Sequence, residues 1–484
     1  MPERLEGVLA HIGHGSGTYA GLVPLVTALL ALIAYLFTLA PDLTWAYDSA
    51  DGAELIIAAC TLGIPHPPGY PTYVLLGRVI CTLPLEPVAR NFHLFSATAA
   101  AIAAGLVTAT GRYRVEGVAF SSRAALASGL FFAWLLPVWQ QAVVAEVYAL
   151  NLFFLAAFLW ALLGERPAWI SGLLLGLSIT THLTSLFMVP LALAVLPRHR
   201  WPELAGGICL GLLPFLVLPL LAGNASPVIW GRPSTPGGWW WLVTARLYLP
   251  NLFALPPDRW VSRLGELARL LSPALALSTL LLLAASRRRQ EKARSPATPA
   301  WIFLPSLLLY LVYAFGYDSR DSLVFLLPAL LLLSILLARP MHFRPTLALF
   351  LPIILLLLNF SRLEPGRVPS ARALAEPVLQ QAPHGAILLT EGDESTFTLW
   401  YLQSVENERP DLTIVDRHLL GFSWYRERLQ EQDASLAALA TYDLAQFIRA
   451  NERPICNVKL ADASGNHLAN AVSCNPMAHE EGNR

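Results

Sequence analysis

Long apolar stretches separated by short polar breaks run through most of this chain. A helix needs about 20 apolar residues to cross hydrocarbon. On that measure, spans are predicted at roughly 20–40, 91–110, 122–141, 145–163, 168–181, 184–197, 204–222, 267–285, 299–316, 322–338 and 345–360. The stretch 70–84 carries Arg78 and is too short to span, which predicts a helix lying at the membrane surface. The run 169–197 is too long for one helix and is interrupted at Thr180-Thr-His182-Leu-Thr184, which predicts two short helices meeting at His182. Beyond about residue 361 the pattern changes. Residues 385–390 read as a buried strand, 395–405 as a helix and 411–416 as a second strand, a β-α-β spacing. The expected architecture is a polytopic α-helical membrane domain (1–360) of about eleven spans, followed by a soluble α/β domain (361–484).

Composition agrees with the pattern. Of 484 residues, 55% are hydrophobic and 14% charged, where a soluble chain carries roughly a quarter charged. The formal net charge is +0, so nothing points to a nucleic-acid partner. The first apolar run lacks a cleavage-site pattern and is expected to remain as an anchor. With the N-terminus inside, the short inside loops carry Arg112, Arg114 and Arg123, then Arg166, then Arg198 and Arg200, then Arg287, Arg288, Arg289, Lys292 and Arg294, then Arg339 and Arg344. Each is basic, as the positive-inside rule requires. Residues 41–90, the long loop 223–266 and the C-terminal domain are then expected outside, in an inner cell membrane. Of the five cysteines, Cys456 and Cys474 could pair in an oxidising compartment, but the expectation is two unpaired buried thiols.

Candidate chemistry gathers on the outer loops. Asp48-Ser-Ala-Asp51-Gly-Ala-Glu54 puts three carboxylates beside the bilayer, where such groups are costly and usually functional. If the segment is helical, Asp51 and Glu54 share a face, and neighbouring carboxylates raise at least one pKa, which suits a general base. Asp48 reads rather as a helix cap, with an accessory role as its functional alternative. His66-Pro-Pro-Gly-Tyr70-Pro is either a turn that seats the surface helix or a stiff platform presenting His66 and Tyr70. Glu146 either caps a membrane helix or faces a substrate. His182 is either a satisfied interhelical histidine or part of the site. In the long outer loop, Trp230 and Trp239 to Trp241 read as interfacial anchors, while Arg232 and Arg246, like Arg78, could meet a lipid phosphate.

The acidic motif followed by Leu62-Gly-Ile-Pro-His66-Pro-Pro-Gly-Tyr70-Pro71 closely resembles a bacterial family related to an animal endoplasmic-reticulum protein O-mannosyltransferase that acts on plexin-type receptors. Supporting matches are Trp139-Gln-Gln-Ala-Val-Val-Ala-Glu146-Val-Tyr-Ala-Leu-Asn151, residues 176–182, Trp230-Gly-Arg-Pro, and Gly392-Asp393 with Arg409-Pro-Asp411. The resemblance implies a GT-C glycosyltransferase that uses a polyprenyl-phosphate-linked sugar, with its catalytic acid in the first outer loop. It puts Asp51 on the family's Asp and Glu54 on its acidic partner, although this chain reads Asp-Gly-Ala-Glu where the family reads Asp-x-Gly-Glu. The implied acceptor is a protein or glycan hydroxyl. No cofactor is implied, and metal dependence is not readable. A flippase for a polyprenyl-linked glycan would want charges near the bilayer midplane, and the spans hold almost none. A scaffold with an envelope-facing domain would tolerate loss of Asp51 and Glu54.

Overall fold

The computed structural model describes residues 16–84, 86–111, 121–286, 299–363, 370–461 and 471–475. Every apolar stretch predicted to span contains a helix. The first helices are α1 (Ser16–Phe37), α2 (Asp51–Thr61), α3 (Pro71–Ile80), α4 (Val88–Thr110), α5 (Ser122–Ala133), α6 (Leu136–Ala142), α7 (Val147–Leu163) and α8 (Ala168–Thr181). There follow α9 (Val189–Val195), α10 (Trp201–Gly211), α11 (Pro236–Val243), α12 (Arg259–Ser286), α13 (Leu304–Gly316), α14 (Leu327–Phe343) and α15 (Pro345–Phe360). Among the described residues, 4 helices are long and apolar enough to cross a membrane on their own, and α5 with α6, bent by 66°, has the composition of a broken span or a re-entrant loop. The remaining apolar helices are 10–17 residues long. Among the basic loop residues, Arg112, Arg114, Arg287, Arg288, Arg289, Lys292 and Arg294 lie outside the described residues.

The bend between α5 and α6 has a local cause. Pro137 lies in the first turn of α6 and has no N–H to donate, so the helix breaks just before it. The carbonyls left without a helical partner are met from other spans: Tyr35 donates its hydroxyl to the Ala133 carbonyl at 2.8 Å, and Asn359 donates to the Trp134 carbonyl at 2.9 Å. In an apolar surround such internal satisfaction is obligatory. Elsewhere small residues set the approach of helices. Gly172 and Gly176 on α8 face Gly207 and Gly211 on α10, and a Cβ at any of the four would collide with the opposite backbone. This is the small-xxx-small packing of membrane helices. As predicted, the chain breaks at His182, which is extended (φ −159°) between α8 and a 3₁₀ turn, Leu183–Met188, that leads into α9. The predicted surface helix is α3, whose Tyr73, Val74 and Gly77 are buried.

The C-terminal region adds α16 (Ala371–Gln381), β1 (Ile387–Thr390), α17 (Asp393–Ser404), β2 (Thr413–Asp416), α18 (Ser423–Gln432), α19 (Leu444–Ala450), β3 (Ile455–Val458) and β4 (Val472–Asn475). The sheet order is β2-β1-β3-β4; β1 pairs parallel with β2 and β3, and β3 pairs antiparallel with β4. The predicted β-α-β unit is therefore present as β1-α17-β2. The expectation of free thiols is corrected. The antiparallel register sets Cys456 opposite Cys474 and they form a disulfide, and Cys60 and Cys81 form a second, joining the end of α2 to the end of α3. Neither pairing follows from spacing, because strand register and helix packing bring the partners together.

This region is docked on the membrane domain. The Ala371 amide donates to the Leu43 carbonyl (2.9 Å), the Trp45 indole to Thr398 (3.0 Å) and Arg372 to Asp42 (3.1 Å). Trp230 packs on Trp424 with ring centroids 5.6 Å apart. Between the two regions lies a cleft.

Candidate active site

The cleft encloses about 620 Å³. One wall is the start of α2 with Trp230 and Tyr248 of the long outer loop, and the turn after α2 lies behind it. Gly52 lets α2 rest against the Ala145 carbonyl, where any Cβ would collide, and this close approach sets Asp51 near Glu146. Asp51 and Glu54 lie three apart on the helix, yet their surroundings differ. The Glu54 side chain is 0% exposed. Its carboxylate lies 2.5 Å from His66 Nδ1, accepts the His66 backbone N–H at 3.3 Å and accepts the Trp230 indole N–H. Asp51 keeps 39% of its side chain open to the cleft and lies 3.8 Å from His66 Nε2.

The Pro-rich turn supplies His66. Its Pro67–Pro68 peptide is cis, Gly69 has φ +87°, and the Gly69 amide returns to the His66 carbonyl at 2.9 Å. Tyr70 is not extended, as the following proline would favour, but left-handed (φ 39°), an uncommon setting for a side-chain-bearing residue. That conformation brings the Tyr70 hydroxyl to 3.0 Å from His66 Nε2. Ile64 bridges to Ile229, its amide donating to the Val228 carbonyl at 2.7 Å, and this short parallel bridge carries Trp230 to Glu54. Trp230 is thus a buried ligand of the site and not the interfacial anchor its sequence context suggested.

Electrostatics separate the groups further. Burial alone would lower the His66 pKa, but the carboxylates of Glu54 and Asp51 outweigh it and hold the imidazole protonated up to about 10. Both ring nitrogens then donate, Nδ1 to Glu54 and Nε2 to Tyr70. Enclosure in the cleft pushes Asp51 up to about 6; His66 opposes that rise, while Glu54, Asp321 and Glu394 add to it. Asp51 therefore titrates near neutrality, where a general base works best.

The opposite wall comes from the C-terminal region and was not singled out as a site by sequence. Gly392 (φ +89°) turns the chain into α17, so that Asp393 and Glu394 occupy its first turn. Asp393 is pushed up to about 8 by burial and by the charges of Asp51 and Glu54. Asp416 ends β2 and is held by Thr396 (2.6 Å) and two backbone amides. A third element, the turn between α13 and α14, brings Arg320 into the cleft, with Nε 2.9 Å from Asp48 and a second nitrogen 3.4 Å from Glu394.

The remaining predicted site residues fall as follows. Asp48 does not cap α2, whose cap residue is Ala50; it pairs with Arg320. Glu146 is buried at the start of α7 and accepts from the Val147 amide at 3.3 Å. His182 accepts at Nδ1 from Thr184 and stacks on Tyr70 at 6.3 Å, one layer below the polar groups. Arg78 is exposed and donates to the Cys60 carbonyl at the end of α2. Arg232 is engaged by Glu427 and does not line the cleft. Arg246 is exposed and opens the turn whose Leu247 and Tyr248 line the cleft. Of the three arginines nominated for a phosphate, then, none lines the cleft, and the guanidinium that does is Arg320. Among the described residues, no three His, Cys, Asp or Glu side chains are grouped to hold a metal ion. A larger cavity of about 910 Å³ lies between residues 223–227 and the edge of the sheet. Its polar lining is largely engaged within itself, as where Arg453 meets Asp433 at 2.5 Å, and Asp51 is not part of it.

Comparison with known proteins bears on this geometry. Residues 51–205 match the family model "Protein O-mannosyl-transferase TMEM260 N-terminal domain", and residues 371–472 match "TMEM260-associated domain 2". Of the residues lining the cleft, the first segment includes Asp51 and the second includes Asp393, Glu394 and Asp416. The mouse (Mus musculus) protein O-mannosyl-transferase TMEM260 is 27% identical over 473 residues, covering 86% of this chain and 65% of the mouse protein. The chain thus spans just under two thirds of that relative's length. The fold is shared with ArnT from Cupriavidus metallidurans. The crystal structure bound to undecaprenyl phosphate superposes with a TM-score of 0.51 at 14% identity, over 90% of this chain and 92% of that one. The apo structure superposes with a TM-score of 0.52 at 13% identity and the same coverage. The chain is thus similar to the protein O-mannosyl-transferase TMEM260 in two segments and shares its fold with ArnT.

Proposed function

We propose that the cleft transfers a sugar from a polyprenyl-phosphate donor to a hydroxyl group of a protein acceptor, with Asp51 as general base. The observation that carries this reading is the division of labour on α2. Glu54 is sealed from the cleft and engaged by His66 and Trp230, whereas Asp51 is open to the cleft and titrates near 6. Glu54 fixes the charged His66, and His66 with Tyr70 fixes the floor beside Asp51. In the reaction, Asp51 takes the acceptor hydroxyl's proton as its oxygen bonds to the anomeric carbon. The bond from that carbon to the phosphate oxygen breaks, and polyprenyl phosphate leaves. The sugar passes through an oxocarbenium-like state, by analogy with glycoside chemistry. Positioning and charge stabilisation provide most of the rate. Mannose is the sugar suggested by the mouse relative's name, and undecaprenyl phosphate in the ArnT crystal is the carrier chemistry suggested by the shared fold.

The cleft is proposed to face outward from a cell membrane, with the N-terminus inside. The basic short loops favour this side, and so do the two disulfides, which persist in oxidising compartments. Labelling of Glu86→Cys by a membrane-impermeant thiol reagent from outside tests it; labelling only from the cytoplasmic side reverses the assignment. The function is tested with purified protein in nanodiscs, a panel of radiolabelled polyprenyl-phosphate sugars and hydroxyl-bearing peptides. Transfer with at least one donor is expected. Folded protein that transfers none, and whose envelope phenotype survives Asp51→Asn, favours the scaffold instead.

A further inference from the structure

The cleft presents a problem of charge. A lipid-linked sugar phosphate is an anion, and carboxylates outnumber cations around the cleft. Two cationic side chains line it, Arg320 and Lys459. Lys459 is held by Glu391 at 2.6 Å on the far wall. Arg320 stands on the same side as Asp51. It is placed by a five-residue turn joining the ends of two apolar helices, Ala300–Gly316 and Ser322–Phe343.

The pairs made by Arg320 are easily exchanged. Its side chain is 47% exposed, Asp48 is 39% and Glu394 17% exposed, and the Glu394 contact is the longer of the two at 3.4 Å. A solvated guanidinium holds such partners weakly, so a stronger acceptor can displace the longer contact. A phosphate can present two of its oxygens to the same guanidinium in a paired contact, where Glu394 meets it with one oxygen at 3.4 Å. Asp48 and Glu394 come from different regions, and pairing with both holds the Arg320 guanidinium at the cleft.

We propose that Arg320 is the cleft's anion site, which receives the phosphate of the lipid-linked donor in exchange for Glu394. The proposal rests on the glycosyltransferase reading for the identity of the ligand, but not for its test, which measures binding without turnover. The two carboxylates act as placeholders: Asp48 positions the guanidinium, and Glu394 competes with the ligand for it. This makes the two partners of one ion pair behave oppositely, which a purely structural salt bridge would not do.

The probes are undecaprenyl phosphate and undecaprenol, presented in phosphatidylcholine nanodiscs and followed by intrinsic tryptophan fluorescence, since Trp230 lines the cleft. Arg320→Gln should weaken undecaprenyl phosphate binding by about ten- to hundred-fold and leave undecaprenol binding unchanged. Arg320→Lys should recover part of the loss. Glu394→Gln should tighten undecaprenyl phosphate binding. Melting temperatures identify any variant that fails to fold, and Arg320→Lys then stands in for Arg320→Gln. Binding by Arg320→Gln within about twofold of wild type, or weakening by Glu394→Gln equal to that of Arg320→Gln, overturns the proposal. If wild type transfers sugar while Arg320→Gln binds normally, the anion site falls and the function stands. If wild type transfers none of the donor panel yet binds undecaprenyl phosphate through Arg320, the function falls and the site stands.

Discussion

The two walls of the cleft are built on different principles. The wall formed by the start of α2 and backed by the 63–71 turn is dense and internally satisfied: Glu54, His66, Tyr70 and Trp230 form one hydrogen-bonded chain in which each partner fixes the next. The wall formed by the start of α17 and the end of β2 is a set of carboxylates set by helix and strand termini, and it meets the first wall chiefly through Arg320. The first wall can therefore hold a reacting group in a fixed position. The second can tune charge and contact an incoming substrate at little structural cost. The comparison also explains why adjacent acids on one helix differ: Glu54 belongs to the scaffold of its wall, and Asp51 faces the space between the walls.

The largest expected effect separates those two acids. Asp51→Asn keeps shape and removes the base, so sugar transfer should fall by about 10²–10⁴-fold. Its pKa is raised in the fold, so the ionised carboxylate is less comfortable folded than unfolded. Replacing it by a neutral amide should leave thermal stability at pH 7 unchanged or slightly higher. Glu54→Gln should instead destabilise the protein, because it leaves a buried imidazolium without its counter-charge, a change that typically costs about 3–5 kcal/mol. Equal melting temperatures for Asp51→Asn and Glu54→Gln would erase the distinction between scaffold and reacting group.

The disulfides give the next test. Their sequence separations are 21 and 18, so removing either should cost a similar stability, about 3 kcal/mol in the chain-entropy account. The consequences for transfer should differ. The Cys60–Cys81 bridge closes the loop that contains His66 and Tyr70, so Cys60→Ser with Cys81→Ser should lower the transfer rate of the surviving folded protein. Cys456→Ser with Cys474→Ser should lower stability alone. Rates measured well below each variant's melting temperature decide between them; equal loss of transfer would mean that the first wall is not specially rigid.

The smallest effect is on pH dependence. Transfer should rise through pH about 6 as Asp51 ionises. Asp321 is a negative neighbour that makes this ionisation harder, so Asp321→Asn should shift the acid limb of kcat/KM downward, by less than about one unit. An upward shift, or none, would place the titrating group elsewhere in the cleft.

Much of the fold was legible because membrane helices and a β-α-β unit are written in local pattern. Apolar length predicted where helices would lie, and the polar interruption at His182 predicted the break found there. The helical spacing of Asp51 and Glu54 likewise placed both on one face of α2. The phosphate candidates were less legible. Arg78, Arg232 and Arg246 were chosen for their position near the bilayer, and packing directed the first two to a helix-end carbonyl and to Glu427. Gly392-Asp393 matched the family pattern but, like Arg320, was not nominated for the site, since an arginine in a polar turn and an aspartate at a helix start are ordinary features until a second wall faces them.

The sequence by itself determined that this chain is an apolar helical protein with a small α/β region, and that its acids and its His-Pro-Pro-Gly-Tyr-Pro turn lie close together. Local hydrophobic periodicity and proline geometry act over a few residues and need no distant partner. Only the tertiary structure decided which acid is sealed and which is open, that Trp230 completes the Glu54 network, that the cysteines pair, and that Arg320 stands at the cleft. Those outcomes depend on desolvation and on hydrogen-bond partners supplied from segments far apart in sequence, as when the Trp230 indole reaches Glu54 across 176 positions of the chain.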